Sequence, residues 1–256
     1  MIIDQPTAVR QGQLRDLWKE AFGDSDEYLD IFFDTAFSPD RCRCVMIDGN
    51  VVAALYWLDC TCRGRKLAYI YAVATAKTHR GQGIASGLLT DTHAHLTRLG
   101  YEGTVLVPSE KSMFGFYERL GYSVCSRVTD FYCAGGPDEV QLRRVDAADF
   151  AKQRREILSL LEPGAVLQEG ESMELLAAQC TFYAGQNFLL AARPQGEESL
   201  LGLELLGDPQ QAPGILRSLG YKEGSFRTRG KAREFAMFCP LCADIQPPTY
   251  FGLAFD

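Results

Sequence analysis

Arg80, Gly81, Gln82, Gly83, Ile84 and Ala85 follow one another where a strand-like run ends and a helical run begins. Such a junction turns several backbone N–H groups outward together, because the first turn of a helix has no internal acceptors for them, and the place suits a phosphate. Gly81 and Gly83 permit a tight turn with no Cβ in front of a ligand, Ala85 is small enough for close approach, and Arg80 adds a full charge to the helix dipole. A Walker loop would end in Gly-Lys-Ser/Thr, and a dinucleotide fingerprint would need three glycines in its own spacing and an acidic residue after the next strand. Neither pattern is present. A glycine-rich turn that only starts a helix is the bland alternative.

The elements that must position this turn can be read on both sides of it. Residues 43–47, 51–60 and 66–75 read as strands joined by Asp48-Gly49-Asn50 and by Arg63-Gly64-Arg65, which gives an antiparallel meander. Ahead of it, Leu14, Leu17, Trp18, Ala21 and Phe22 recur at helical spacing and Gly23 stands where that helix would stop. Asp24, Ser25 and Asp26 can cap a second helix, with Tyr28, Leu29, Phe32, Phe33 and Phe37 on its apolar side. Beyond the turn, Ile84, Leu88, Leu89, Leu96 and Leu99 form a buried stripe that Gly100 ends, and His93 and His95 on the same helix read as surface or packing residues. Residues 103–107 then read as a strand, 109–120 as a short helix, and Gly121-Tyr122 opens a final pair of strands reaching about Cys133.

Residues 80–85 in this setting resemble the GNAT superfamily of acyl-CoA-dependent N-acyltransferases. The family's pyrophosphate signature, Gln/Arg-x-x-Gly-x-Gly/Ala, is met at each specified position by Arg80, Gly83 and Ala85. About 30 residues beyond that signature, Tyr117 followed by Leu120-Gly121-Tyr122 is similar to the second hallmark, Tyr-x-x-x-Gly-Phe/Tyr. The likeness covers about the first 135 residues and implies an α/β (α+β) fold: a mixed, largely antiparallel twisted sheet flanked by helices. It implies acetyl-CoA as acyl donor, with the backbone of Val73, Ala74 and Thr75 pairing with pantetheine as an added strand would. By the same resemblance Arg80, Gly81, Gln82, Gly83, Ala85 and Ser86 hold the pyrophosphate, and Phe116 and Tyr117 flank the thioester. Glu110 stands where the family often has an asparagine. The segment Thr78-His79-Arg80 and the two-domain length are also similar to the larger, tandem acetyltransferases of the enhanced-intracellular-survival type.

The implied reaction moves an acetyl group from acetyl-CoA to a primary amine of a small molecule or peptide by direct attack. It needs a neutral amine, a polarised carbonyl and a proton for the departing thiolate. Tyr117 is the candidate general acid, since an unperturbed phenol with a pKa of about 10 is protonated at neutral pH and close to an alkyl thiol. Packing of its helix on the sheet is the alternative. Glu110 is a candidate base, against a capping or solvated role at a helix start, and the C-terminal carboxylate of Asp256 is a second candidate. Tyr69 and Tyr71 are candidates to line the amine pocket, although strand aromatics more often pack in a core.

The 256 residues are 46% hydrophobic and 23% charged, which places the chain among globular rather than disordered sequences. A net charge of −7 argues against a nucleic-acid partner and favours a cationic or amine-bearing one. The longest apolar run, residues 51–58, falls short of the roughly 20 residues that cross a bilayer, and residues 1–6 lack the regions of a signal peptide. The expectation is a cytoplasmic protein with no membrane partner; oligomeric state stays open. Nine cysteines read as reduced thiols, with no metal expected, and Cys239-Pro-Leu-Cys242 is the single zinc-like spacing kept as an alternative. Residues 134–138 make the best linker, giving an acetyl-CoA-binding catalytic domain at 1–135 and a smaller, degenerate domain of similar plan at 139–256. Residues 215–221 echo 116–122, with Leu216 where the first copy has Tyr117. A non-catalytic acyl-CoA-binding sensor or interaction module is the competing functional class.

Overall fold

A computed structural model describes residues 1–255, so Asp256 lies outside the described residues. The chain forms two compact units. The first comprises Met1–Leu106, Ser112–Ser123 and Phe238–Gln246; the second comprises Val107–Lys111, Val124–Met237 and the residues from Pro247 on.

In the first unit β1 (Ile2–Asp4), β2 (Cys42–Ile47), β3 (Asn50–Cys62) and β4 (Arg65–Thr75) pair antiparallel in chain order. The turns between β2 and β3 and between β3 and β4 each place both central residues at positive φ, Asp48 and Gly49 in one, Arg63 and Gly64 in the other, the twist that suits two-residue hairpins. α1 (Gln11–Phe22) stops at left-handed Gly23, and α2 (Asp26–Thr35) starts where Ser25 Oγ accepts the Tyr28 N–H at 3.3 Å. Their apolar stripes meet one face of the sheet through rings: Trp18 lies 4.6 Å from Phe32 and 5.1 Å from Tyr56, centroid to centroid.

α3 (Ile84–Arg98) buries Ile84, Leu88, Leu89 and Leu96, while Leu99, expected in that stripe, sits just past the last helical turn and is 48% exposed. β5 (Gly103–Leu106) then runs parallel to β4, the crossover that a βαβ unit requires. α4 (Phe114–Glu118) is shorter than the expected helix. The final pair of strands is a single strand, β6 (Ser123–Ala134), because nothing between Ser123 and Ala134 reverses the chain. From Val124 on, β6 belongs to the second unit, where it pairs with residues 223–229, so the stretch ahead of the 134–138 linker joins that unit.

In the second unit β7 (Leu142–Val145), α5 (Ala147–Leu161), β8 (Leu167–Gln168), α6 (Glu171–Ala177), β9 (Thr181–Gly185), β10 (Phe188–Pro194), β11 (Ser199–Gly207), α7 (Ala212–Leu219) and β12 (Glu223–Arg229) follow, then β13 (Arg233–Pro240), which belongs to this unit as far as Met237. β9, β10 and β11 form an antiparallel meander, and β12 returns parallel to β11 across α7. A meander followed by one helix-linked parallel pair therefore occurs in each unit. α7 bridges its pair as α3 does, so the sequence echo of 116–122 at 215–221 falls on a helix with a different place in the topology. Arg154 is buried and clasps buried Glu204 with two hydrogen bonds of 2.6 and 3.0 Å, and Tyr250 donates to the same carboxylate at 3.0 Å.

All nine cysteines are free thiols; six are buried, Cys125 and Cys133 are half-buried, and Cys242 is exposed. Among the described residues no helix is long and apolar enough to cross a membrane, and no group of three or more His, Cys, Asp or Glu side chains could hold a metal ion.

Candidate active site

The last turn of sheet before the glycine loop is irregular. Ala54 pairs with Ala74 and Tyr56 with Tyr71, so Ala72 and Val73 together oppose Leu55 in a β-bulge. Ala72 carries it with φ of 48°, a conformation that costs a non-glycine residue energy and is held only where the surroundings impose it. The parallel ladder with β5 covers Leu67, Ala68 and Tyr69 and stops there, while β4 continues to Thr75. Val73, Ala74 and Thr75, the residues expected to meet pantetheine, thus lie beyond the part of β4 that pairs with β5, while Ala74 and Thr75 stay paired with Ala54 and Ala53 of β3. Only Ala74 of the three is buried, and the Thr75 hydroxyl oxygen is buried without a hydrogen-bond partner.

A single 3-10 turn, Lys77–His79, leads from β4 into the loop, tied down where Glu20 accepts the Lys77 N–H at 2.6 Å. Arg80 Nε donates to the Thr75 carbonyl at 3.0 Å, which folds the side chain back against the strand end, and Gln82 Nε2 donates to the Thr78 carbonyl at 3.3 Å. Gly81 and Gly83 both have left-handed φ, 75° and 76°, and a Cβ on either would meet nothing within 4 Å. Glycine is required there by backbone conformation, and the space ahead of it is open. Gly83 is the N-cap of α3 and supplies no side-chain cap. Ala85 and Ser86 stand in the first turn of the helix, whose leading N–H groups have no acceptor within the helix. A diphosphate fits this cradle because its donors are backbone and its front carries no side chain.

Tyr117 on α4 is 8% exposed, with the Phe116 ring 5.1 Å and the Tyr122 ring 5.6 Å from its own, both near edge-on. Its hydroxyl makes no hydrogen bond to another described residue, so it is available to a ligand, and burial pushes its pKa up to about 12. His93, read from sequence as a surface or packing residue, is half-buried on α3 with Nε2 2.8 Å from the Tyr122 hydroxyl, and that hydroxyl accepts from Thr104 Oγ1 at 2.9 Å. The structure thereby connects Tyr117, through Tyr122 and His93, to the helix whose first turn forms the cradle. His95 packs near Trp57 with a ring separation of 6.0 Å.

Tyr69 is buried, and the Tyr71 hydroxyl is hydrogen-bonded to that of Tyr28 among the rings of α1 and α2. Glu110 is exposed and lies in Val107–Lys111, a segment of the second unit. Cys239 Sγ donates to the Leu120 carbonyl at 3.8 Å and Cys242 Sγ approaches Glu102 at the same distance, so the two thiols serve different neighbours. Sequence reasoning missed two features, the bulge at Ala72 and the His93–Tyr122–Thr104 junction. The bulge has no glycine to announce it, and the junction joins residues distant in the chain.

Residues 7–125, which include both the cradle and Tyr117, match the model of the acetyltransferase (GNAT) domain. No curated protein matches the chain. Among solved structures, a GCN5-related N-acetyltransferase from Anabaena variabilis superposes with a TM-score of 0.72 at 14% identity, covering 94% of this chain and 73% of that one. A GCN5-related N-acetyltransferase from Kribbella flavida gives 0.70 at 18% identity over 93% and 70% of the two chains. Eis1 from Mycobacterium abscessus gives 0.64 at 12% identity over 94% and 74%. At such identities the likeness is one of fold.

Proposed function

We propose, from the match of residues 7–125 to the acetyltransferase (GNAT) domain, that the protein transfers an acetyl group from acetyl-CoA to a primary amine of a small molecule or peptide, with Tyr117 as general acid. The observation that carries the proposal is the uncapped start of α3, where two left-handed glycines with nothing in front of them follow directly on a bulged, partly unpaired strand.

The diphosphate of the donor sits on the N–H groups at residues 81–86, with Arg80 alongside. The pantetheine arm runs along β4 at 73–75 as an added strand. Backbone N–H groups near the bulge polarise the thioester carbonyl. The neutral amine nitrogen bonds to the carbonyl carbon, the carbon–sulfur bond breaks, and the electron pair leaves on sulfur. Tyr117 gives its proton to that thiolate, and the amine's surplus proton passes to a carboxylate or water, leaving an amide and free CoA. A tyrosine at about 12 is a weak donor in water, yet the apolar surroundings that raise it raise a thiolate beside it in the same way, so the transfer stays near balance.

The test is a thermal-shift titration with acetyl-CoA, then thiol release across an amine panel. Gly83→Glu puts a carboxylate into the cradle and is expected to weaken acetyl-CoA binding by at least about 10-fold. Tyr117→Phe is expected to lower kcat by about 10- to 100-fold with donor binding unchanged. Donor binding without turnover on any amine would favour a sensor over an enzyme, and turnover indifferent to Tyr117→Phe would remove the general acid.

A further inference from the structure

One hydroxyl joins three elements of the first unit. Thr104 Oγ1 on β5 donates to the Tyr122 hydroxyl at 2.9 Å, and His93 Nε2 on α3 lies 2.8 Å from the same oxygen. A phenol carries one proton. With Thr104 donating, that proton points to His93 Nε2, which fixes the imidazole as its Nδ1–H tautomer and requires it to be uncharged. Burial holds the His93 pKa down at about 4, in keeping with that state at neutral pH.

The Tyr122 ring is itself buried and stands near edge-on to the Tyr117 ring at 5.6 Å and 69°, with Phe116 on Tyr117 at 5.1 Å and 73°. The Tyr122 N–H also donates to the Tyr117 carbonyl at 3.2 Å. One of the two rings around Tyr117 is therefore anchored at its far end to α3 and β5, and α3 begins at the anion cradle. A mechanically continuous path runs from the groups that hold the donor's phosphates to the ring that carries the transferable proton.

We propose that His93 is a positioning residue for acyl transfer: by accepting the Tyr122 hydroxyl proton it fixes the ring against which Tyr117 packs, and so fixes where the Tyr117 hydroxyl points. The inference rests on the reading of Tyr117 as proton donor. Neither His93 nor Tyr122 touches the reacting atoms. The expected cost of losing the anchor is about 10-fold in kcat, since small misplacements of a reacting group slow chemistry more than they weaken binding.

The experiment has a spectroscopic and a kinetic arm, both on the full chain. Nitrogen-15 NMR is expected to find His93 Nε2 unprotonated at pH 7. With tyrosines carbon-13-labelled at Cζ, and the Tyr117 signal assigned by its loss in Tyr117→Phe, both Tyr122→Phe and His93→Leu are expected to shift that signal. His93→Gln, which keeps an acceptor, is expected to move it back toward the wild-type position. With the fastest amine of the panel, Tyr122→Phe and His93→Leu should each lower kcat about 10-fold, leave KM for acetyl-CoA within about twofold, and lose no more when combined. Tyr122→Phe keeps the ring and its packing, so it carries the test if His93→Leu fails to fold. A Tyr117 signal unmoved by Tyr122→Phe, a protonated Nε2, or kcat losses that multiply in the double variant would overturn the inference. If Tyr117→Phe cripples kcat while Tyr122→Phe leaves both signal and kcat untouched, only the positioning role falls. If Tyr117→Phe is fully active, the donor reading falls first and takes this one with it.

Discussion

Tyr117 meets the two demands on a proton donor to a thiolate: it stays protonated, and its hydroxyl is not spent on another residue. Because burial sets its pKa near 12, the rate–pH profile is expected to rise as the acceptor amine deprotonates and to show no falling limb from Tyr117 until about pH 12; a falling limb near 10 that vanishes in Tyr117→Phe would contradict this. His93 makes a separate prediction about stability. Its pKa drops from 6.5 to about 4 on folding, so the unfolded chain takes up a proton that the native one refuses. Its contribution is complete above about pH 6.5 and is lost as pH falls toward 4. The fall in Tm across that window is expected to be smaller in His93→Gln than in the wild type. Arg80, Gly83, Ala85 and Tyr117 could be picked out in the sequence because each sits at a fixed offset within a short motif. His93 could not, since its significance depends on a hydroxyl 29 residues away that only folding brings within reach.

β4 and α3 together build the proposed site, one by interrupting its ladder and the other by beginning without a cap. The hairpins flanking β3 were legible because Asp48-Gly49 and Arg63-Gly64 are turn pairs between apolar runs, and the glycine loop was legible for the same local reason. The bulge was not, because residues 71–75 read as an ordinary apolar strand and the extra residue shows only in the register against β3. Its strain leads to a stability prediction. Ala72→Gly relieves the positive φ while loosening the unfolded chain and is expected to change stability by less than about 1 kcal/mol, whereas Ala72→Val is expected to cost about 2 kcal/mol or more in urea unfolding. Equal effects of the two would mean that the backbone there carries no strain.

At the level of the whole chain, each unit holds a meander and one helix-linked parallel pair, and the likeness between the two halves was audible in the sequence only as a short echo that landed on the wrong helix. The division of the chain was less legible still. A Gly-Gly-Pro run marks a good turn, but strand pairing by Val124–Ala134 decides which unit the residues join, and no local composition reports a pairing partner nearly 100 residues later. In the second unit the Arg154–Glu204 pair is fully enclosed, so Glu204→Leu leaves a buried cation and is expected to destabilise by about 3–5 kcal/mol, while the double change Arg154→Leu with Glu204→Leu should recover much of the loss. The distribution of thiols has a practical corollary. Since Cys242 is the one fully exposed thiol of the nine cysteines, a maleimide dye applied briefly to the native protein should mark that position ahead of half-buried Cys125 and Cys133, giving a ready-made fluorescent handle without any engineering.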